Sequence, residues 1–155
     1  MALGVNALPA AVADTSVLLA AFNSKDHGHV GAVEALMAPR RLWVSQLVMA
    51  ELDYLLTEKV GARAALDALR RINGLTRIGR VQIAEGGIAV MTEAEGVMEK
   101  YPAVGLTDSV NAVLAWKLAR PVVLSLDHHY RDVIAPRHRN ETRLEVLPES
   151  VRRRS

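Results

Sequence analysis

The chain contains 155 residues, of which 50% are apolar, 23% charged and 4% aromatic, and its formal net charge at pH 7 is +2. A chain of this length fits one compact domain, and the absence of cysteine excludes a disulfide framework, a thiolate zinc site and a cysteine nucleophile. The most continuous apolar run, at 17–22, is far shorter than the roughly 20 residues of a membrane-spanning helix. Because no secretory signal is visible either, we expect a cytoplasmic protein that does not associate with membranes.

Arginine accounts for 15 of the 19 basic residues, and its distribution along the chain is uneven. A central group has only one local acid, Asp67, and consists of Arg63, Arg70, Arg71, Arg77 and Arg80. Arginine suits bidentate contacts with phosphate, but a solvated helix face can have the same composition. The sequence therefore leaves a direct role of this group in nucleic-acid binding open.

Apolar periodicity and capping residues predict short strands that alternate with helices. In chain order, the predicted elements are a strand at 10–13, helices at 16–22 and 30–37, a strand at 42–44, helices at 46–57 and 61–71, a strand within 75–83, helices at 88–100 and 106–118, and strands at 122–126 and 142–147. Ser45 is a favourable N-cap for the helix at 46–57, and Asn73-Gly74 is predicted to close the helix at 61–71.

The strand pattern indicates the fold class. Val122, Val123 and Leu124 form a continuously apolar run, which is typical of strands in a parallel sheet that helices cover on both faces. We therefore predict a single α/β domain with an open, mostly parallel sheet of about five strands. This domain is predicted to span residues 10–148, after an N-terminal extension at 1–9 and before an Arg-rich C-terminal tail at 149–155.

Two aspartates directly follow apolar strands. Asp14 follows the predicted strand at 10–13, and Asp127 follows the one at 122–126. Each precedes a predicted helix, so each could simply cap that helix. In open α/β sheets, however, ligands bind beyond the carboxyl ends of the strands. Both residues are therefore also candidates for a ligand site at that edge.

Glu51 is predicted to lie within an apolar stripe of its helix. Its neighbours at three and four residues are Leu47, Val48, Tyr54 and Leu55. An unpaired carboxylate buried among such residues would cost several kcal/mol, so Glu51 needs a partner. A buried arginine, a hydroxyl group and a metal ion are the alternatives.

Asp108 stands near the start of a predicted helix. The helix dipole favours an acid there, and Thr107 is a plausible N-cap, so a structural role is sufficient for Asp108 when it is considered alone. Together with the other three acids it has a different meaning, because carboxylates that converge at one edge cannot all stay ionised without cations.

The natural occupant of such a site is a hard divalent cation. Mg²⁺ typically takes one or two carboxylates, several waters and phosphate oxygens of the substrate. A metal bound in this way activates water and stabilises a displacement at phosphorus, as in metal-dependent nucleases. The residues by themselves thus predict an acidic metal site on an α/β sheet.

The same residues lie in four segments that resemble PIN-domain proteins, and more closely the VapC toxins of bacterial type II toxin–antitoxin pairs. The segments are DTSVLLA at 14–20, VSQLVMAELDYLL at 44–56, LTDS at 106–109 and LSLDHHY at 124–130. Each motif alone is weak, but the four occur in the right order on the right elements. The resemblance extends from residue 10 to Pro148, which is nearly the whole chain.

The resemblance implies an endoribonuclease that depends on Mg²⁺ or Mn²⁺ and acts as the toxin of such a pair. It also implies a homodimer, an inhibitory VapB-type antitoxin and growth arrest by the free toxin. The implied metal ligands and catalytic residues are Asp14, Glu51, Asp108 and Asp127. Three hydroxyl residues would support the site, although helix capping and strand-end hydrogen bonds are the alternative; they are Thr15, Ser16 and Ser125.

The chain departs from the family pattern at three places. Thirteen residues precede Asp14, more than the family usually has. Ser109 and Asn111 replace the small apolar residues that commonly follow the third acid. His128 and His129 follow the last acid, and we interpret them as exposed loop residues because histidine is a poor ligand for magnesium.

Other functions fit the residues less well. A phosphotransfer receiver domain normally has paired acids after its first strand, and a haloacid-dehalogenase-type phosphatase needs an aspartate where this chain has Ser16. A non-catalytic binding module is disfavoured because all four acids are present. A housekeeping RNA-processing PIN nuclease uses the same acids and stays as the alternative, which the gene neighbourhood would separate from a toxin.

Overall fold

The computed structural model describes residues 8–127, 130, 134 and 143–149. From the first strand to the fourth, strands alternate with pairs of helices. In chain order the elements are β1 (Leu8–Ala13), α1 (Thr15–Ala21), α2 (His29–Met37), β2 (Pro39–Ser45), α3 (Gln46–Lys59), α4 (Ala62–Arg77), β3 (Val81–Ala84), α5 (Ile88–Lys100), α6 (Leu106–Trp116), β4 (Val122–Leu124) and β5 (Glu145–Leu147).

The five strands form one sheet in the order β3-β2-β1-β4-β5, and every neighbouring pair is parallel. This arrangement confirms the predicted α/β class. From β1 the chain first builds the sheet outward through β2 and β3, and it then returns to the other side of β1 with β4 and β5. The direction therefore reverses between β1 and β4, which is where open α/β sheets bind their ligands.

Helices cover both faces of the sheet. In β1, Ala11 and Ala13 belong to a core cluster that contains residues of α1, α3 and α4. The intervening Val12 belongs to a second cluster on the side of α6. The three residues of β4 have no exposed surface, as the continuously apolar run at 122–124 predicted. Burial on both faces explains why β4 lacks an alternating pattern.

The helix α4 is longer than predicted. The dipeptide Asn73-Gly74 does not close it, and the helix continues to Arg77. Ile72 is buried, and Leu75, beyond the expected stop, packs against the same core cluster. Tertiary packing thus outweighs the local preference of Asn and Gly for a turn. The turn comes at Gly79, where φ is +78°, and β3 begins only at Val81.

The central arginines have different roles in the structure. Arg80 donates hydrogen bonds to three backbone carbonyls at the junction of α2 and β2, those of Met37, Pro39 and Arg40. Two other members of the group lie on α4 and approach the carboxylate of Asp67 at 3.6 and 3.8 Å. Arg80 is therefore a structural residue that holds the end of α2 against the sheet.

Several sequence predictions lie outside the described residues. They concern residues 1–7 of the N-terminal extension, the loop residues His128 and His129, the beginning of the strand predicted at 142–147, and the Arg-rich tail from residue 150 onward. Leu8 already belongs to β1 and pairs with Pro39 of β2. None of the helices that the structure describes is long and apolar enough to cross a membrane.

Candidate metal centre

A cavity of about 360 Å³ lies at the carboxyl edge of the sheet, between the end of β1, the helix α3 and the start of α6. All four predicted carboxylates line it, namely Asp14, Glu51, Asp108 and Asp127. No lysine or arginine among the residues that the structure describes contributes to its lining. The cavity therefore concentrates negative charge, which favours a cation.

Asp14 is held at the end of β1 and points into the molecule. Its backbone N–H donates to the carbonyl of Leu124 at 2.9 Å, so it extends the pairing of β1 with β4. The residue is only 3% exposed. Although it stands at the N-cap position of α1, its side chain forms no capping hydrogen bond with the described helix. The capping interpretation of Asp14 is therefore wrong.

Two serine hydroxyls hold one oxygen of this carboxylate. Ser16 and Ser125 donate to Oδ2 of Asp14 at 3.0 and 2.9 Å. Their own oxygens accept backbone N–H groups of the loop after β4, from Leu126 to Ser16 and from Asp127 to Ser125, each at 2.9 Å. The two hydroxyls thus fix Asp14 to the chain segment that carries Asp127.

The other oxygen of Asp14 has two different donors. Asn111 of α6 donates to Oδ1 at 3.2 Å, and the hydroxyl of Tyr130 lies 3.1 Å from the same atom. Asp14 therefore accepts hydrogen bonds at both oxygens. Two serine hydroxyls and the amide of Asn111 hold the side chain in one orientation. The single hydrogen of the Tyr130 hydroxyl is shared between Asp14 and Asp108.

Burial and a neighbouring charge act on the ionisation of Asp14. Burial raises the pKa of Asp14 above 3.8, and the charge of Asp108 raises it further. The hydrogen bonds from Ser125, Ser16 and the backbone of Thr15 oppose this increase. Ionised Asp14 is thus destabilised by burial and by Asp108, and a cation in the cavity would relieve both effects.

Asp108 lies in the first turn of α6, whose N-cap is Gly105. It is half-buried, and its Oδ1 accepts a hydrogen bond from the hydroxyl of Tyr130 at 2.9 Å. Thr107 is not the N-cap that the sequence suggested. Its hydroxyl donates instead to Oε2 of Glu51 at 2.9 Å, and it thereby connects α6 to α3 across the cavity.

Glu51 is exposed, so the prediction that it lies within a buried stripe is wrong. The residues of α3 that pack inward are Val48, Leu52 and Leu56, whereas Tyr54 is 61% exposed. The helix is thus rotated so that Glu51 stands at the margin of its apolar face. Its hydrogen-bond partner is the Thr107 hydroxyl, which was one of the three alternatives.

Asp127 is half-buried in the loop after β4 and lines the cavity. Its backbone N–H is bound by Ser125. The helix that Asp127 was expected to cap lies outside the described residues. Thr15 also lines the cavity, and its buried hydroxyl has no hydrogen-bond partner among the described residues.

Sequence reasoning did not assign Asn111 and Tyr130 to the site. Asn111 stands three residues after Asp108 and thus on the same side of α6, and it is a polar residue within a buried apolar helix segment. A polar residue at this spacing within an apolar helix segment could have indicated from the sequence that Asn111 belongs to the site. Tyr130 has no comparable sequence signal. Burial, Asp14 and Asp108 raise the pKa of Tyr130 well above its ordinary value of 10.0, so its hydroxyl stays protonated and acts as a donor.

The chain matches the model of a known protein family. A model of the PIN domain matches residues 11–135, and the matched range contains all four carboxylates. The chain belongs to the PIN-domain family. The resemblance that the four sequence segments suggested is confirmed.

The PIN domain is similar to proteins of the VapC type. It is 34% identical to Ribonuclease VapC26 of Mycobacterium tuberculosis over 128 residues, which cover 81% of this chain and 92% of that protein. The crystal structure of VapC20 from the same species, a sarcin-ricin loop cleaving toxin, matches with a TM-score of 0.65 and 21% identity, and the match covers 75% of this chain and 88% of that one.

A second structural match is VapBC2 from Rickettsia felis, crystallised with a DNA fragment from its promoter. Its TM-score is 0.61 at 15% identity, and it covers 90% of this chain and 99% of that one. At such identities the two structures support the fold of this PIN domain. The identity to VapC26 places the sequence among VapC-type proteins.

The donor groups of this PIN domain suit a hard divalent cation. They are carboxylate oxygens together with the buried hydroxyl of Thr15, and oxygen ligands are those that Mg²⁺ and Mn²⁺ prefer. The four carboxylates line one cavity, but no three acidic or histidine side chains in the described part of the chain are close enough together, as they stand, to hold a metal ion.

Proposed function

We propose that this PIN-domain protein is a cytoplasmic endoribonuclease that depends on Mg²⁺ or Mn²⁺ and acts as the toxin of a type II toxin–antitoxin pair. The observation that carries the proposal is that four carboxylates line one cavity, to which no basic side chain of the described residues contributes. The 34% identity to a ribonuclease over most of the chain supports the same activity.

In this proposal the ion is held by Asp14, Glu51, Asp108 and Asp127. A bound Mg²⁺ or Mn²⁺ supplies a Lewis acid that acidifies water and stabilises negative charge at phosphorus. Asp14 is the fixed member of the set because Ser16 and Ser125 both donate to its Oδ2. Glu51 reaches the cavity from an exposed helix face, so it can adjust when RNA enters.

The activity is tested by incubating the purified protein, free of antitoxin, with a mixture of tRNA and ribosomal RNA. We expect cleavage with Mg²⁺ or Mn²⁺ and no cleavage with a chelator, and we expect fragments with 5′-phosphate and 3′-hydroxyl ends. Restoring the metal after chelation should restore cleavage. Cleavage that continues undiminished in the chelator would contradict the metal-dependent mechanism.

We also propose a binding site for a VapB-type antitoxin. An apolar cavity of about 400 Å³ lies on the other side of α1, where its lining includes Leu18, Phe22 and Leu36, with Arg71 and Arg80 also in the lining. Its largely apolar lining suits the apolar face of an amphipathic helix. The fold match to the VapB–VapC pair of Rickettsia felis supports a partner of this kind.

The antitoxin site predicts a selective effect of one substitution on α2. Met37 lines the apolar cavity and is 69% exposed, so Met37→Glu should fold normally and place a charge where the antitoxin helix packs. We expect the affinity for the antitoxin encoded beside the gene to fall about 10-fold, with unchanged RNA cleavage. Isothermal titration calorimetry measures the affinity for the antitoxin.

The matched control is Val30→Glu, since Val30 lies on the same helix, is 68% exposed and is absent from the cavity lining. Equal losses of affinity in the two variants would place the antitoxin elsewhere.

The protein is further proposed to form a homodimer. The helix α5 presents Ile88, 83% exposed, and Met98, 36% exposed, beside a groove of about 370 Å³ that Met91 and Leu106 complete. An apolar surface of this kind suits contact with a second copy of the chain.

A further inference from the structure

We propose that Asn111 and Tyr130 are positioning residues that hold Asp14 and Asp108 at the correct separation for the metal ion. The inference rests on the proposed metal site and adds two residues to it. Neither residue lines the cavity, so neither is placed to touch substrate. They act from behind the carboxylates, through hydrogen bonds.

The hydrogen bonds form a closed connection between β1 and α6. The amide nitrogen of Asn111 has two hydrogens, one directed at Oδ1 of Asp14 at 3.2 Å and the other at the Tyr130 hydroxyl at 3.0 Å. The hydroxyl oxygen of Tyr130 accepts a hydrogen bond from Asn111, and Tyr130 can donate its single hydroxyl hydrogen to a carboxylate. The two acceptors are Oδ1 of Asp108 at 2.9 Å and Oδ1 of Asp14 at 3.1 Å.

Asn111 and Tyr130 together therefore contact both carboxylates, those of Asp14 and Asp108. One hydroxyl hydrogen serves either acid, so Tyr130 can donate to Asp108 when Oδ1 of Asp14 is engaged elsewhere. Asn111 meanwhile keeps its own contact with Asp14. The pair thus maintains the spacing of the two acids. At the same time, either carboxylate can exchange its hydrogen bond from Tyr130 for another contact.

Burial keeps the pair rigid. Asn111 and Tyr130 have no exposed surface, and the ring of Tyr130 packs in the core cluster that contains Val12 of β1 and Val123 of β4. Hydrogen bonds in such surroundings are stronger than in water, and their geometry is well defined. Groups that orient metal ligands in this way typically contribute 10–100-fold to metal affinity or activity.

The test is a calorimetric titration of the full chain with Mn²⁺, without RNA. The wild-type protein is compared with Tyr130→Phe, which removes only the hydroxyl, and with Tyr54→Phe, which removes a hydroxyl from a residue that is 61% exposed. We expect Tyr130→Phe to bind Mn²⁺ about 10–100-fold more weakly. Tyr54→Phe should bind like the wild type.

A second variant, Asn111→Ala, tests the same inference independently in case Tyr130→Phe does not fold. It should also weaken Mn²⁺ binding about 10-fold or more, and the double variant should lose less than the product of the two single losses, because the residues act through each other. A purely structural role would lower the melting temperature and leave the Mn²⁺ affinity of the folded variants unchanged. That result, in either folded variant, would overturn the inference.

The titration also separates this inference from the proposed function. If the wild-type protein itself binds no Mn²⁺, the proposed metal site fails and the inference fails with it. If the wild type binds and the variants bind equally well, only the positioning role is lost. A weaker affinity in both Tyr130→Phe and Asn111→Ala, with wild-type secondary structure, supports the metal site and the positioning role together.

Discussion

Replacing Asp14 by asparagine is expected to lower the rate of RNA cleavage by about 1,000-fold at saturating Mg²⁺. Asp14 is the most buried of the four carboxylates and the one that both serines and both positioning residues contact. The substitution keeps the shape of the side chain and removes its charge. Any loss is therefore a loss of metal binding and of charge stabilisation, and it is measured as the initial rate on labelled RNA.

The control for this variant is Asp67→Asn. Asp67 lies on α4 next to two arginines and is 58% exposed at its side chain, so its removal should change the cleavage rate by less than about twofold. A wild-type rate in Asp14→Asn would mean that the carboxylate cavity is not where the reaction occurs.

The same substitution is expected to stabilise the protein when metal is absent, by on the order of 1 kcal/mol in the free energy of unfolding. Burial and Asp108 both disfavour the charged form of Asp14, and asparagine removes that charge. The amide can keep its oxygen toward Asn111 and Tyr130 and turn its nitrogen toward the hydroxyl oxygens of Ser16 and Ser125. The replacement therefore leaves few groups without partners.

The stability difference should depend on pH in one direction. The pKa of Asp14 is about 3.8 in the unfolded chain and is raised above it in the folded protein. At pH values between the pKa of the unfolded chain and that of the folded protein, the native state therefore binds more protons than the unfolded chain. The contribution of Asp14 to stability is then complete below pH 3.8 and is lost as the pH rises through the raised pKa. The advantage of Asp14→Asn should accordingly be absent at low pH, grow with pH and reach a plateau.

In the presence of a divalent metal, the wild type should become more stable than Asp14→Asn. At a Mn²⁺ concentration 100 times the dissociation constant, binding stabilises the wild type by about 2.7 kcal/mol, whereas the variant gains far less because it lacks a ligand. Chemical denaturation with Mn²⁺ and with a chelator, at several pH values, measures all of these effects. A variant that is less stable than the wild type in the chelator would show that Asp14 is a structural residue.

The sequence by itself determined the fold class and the position of three of the acids. The continuously apolar run of β4 required a strand covered on both faces, and the structure buries it completely. Because the strands are parallel, the residues after β1 and β4 meet at one edge, which brings Asp14 and Asp127 to the same cavity. Asp108 joins them from the first turn of α6.

Local preference failed where packing decided. Asn73-Gly74 has the composition of a turn, yet α4 continues through it because Ile72 and Leu75 on either side contact the core. The strand expected within 75–83 is correspondingly shorter and begins at Val81. The preference of a dipeptide is worth about 1 kcal/mol per residue, which the burial of two large apolar side chains exceeds.

Only the tertiary structure decided how the acids are held. The rotation of α3 about its axis, which exposes Glu51, depends on which residues the sheet accepts, and several neighbouring stripes of that helix are apolar. The hydrogen bond from Thr107 to Glu51 joins residues 56 positions apart, and the one from Asn111 to Tyr130 joins residues 19 positions apart. Such contacts require distances near 3 Å between distant segments, and no periodicity along the chain encodes them.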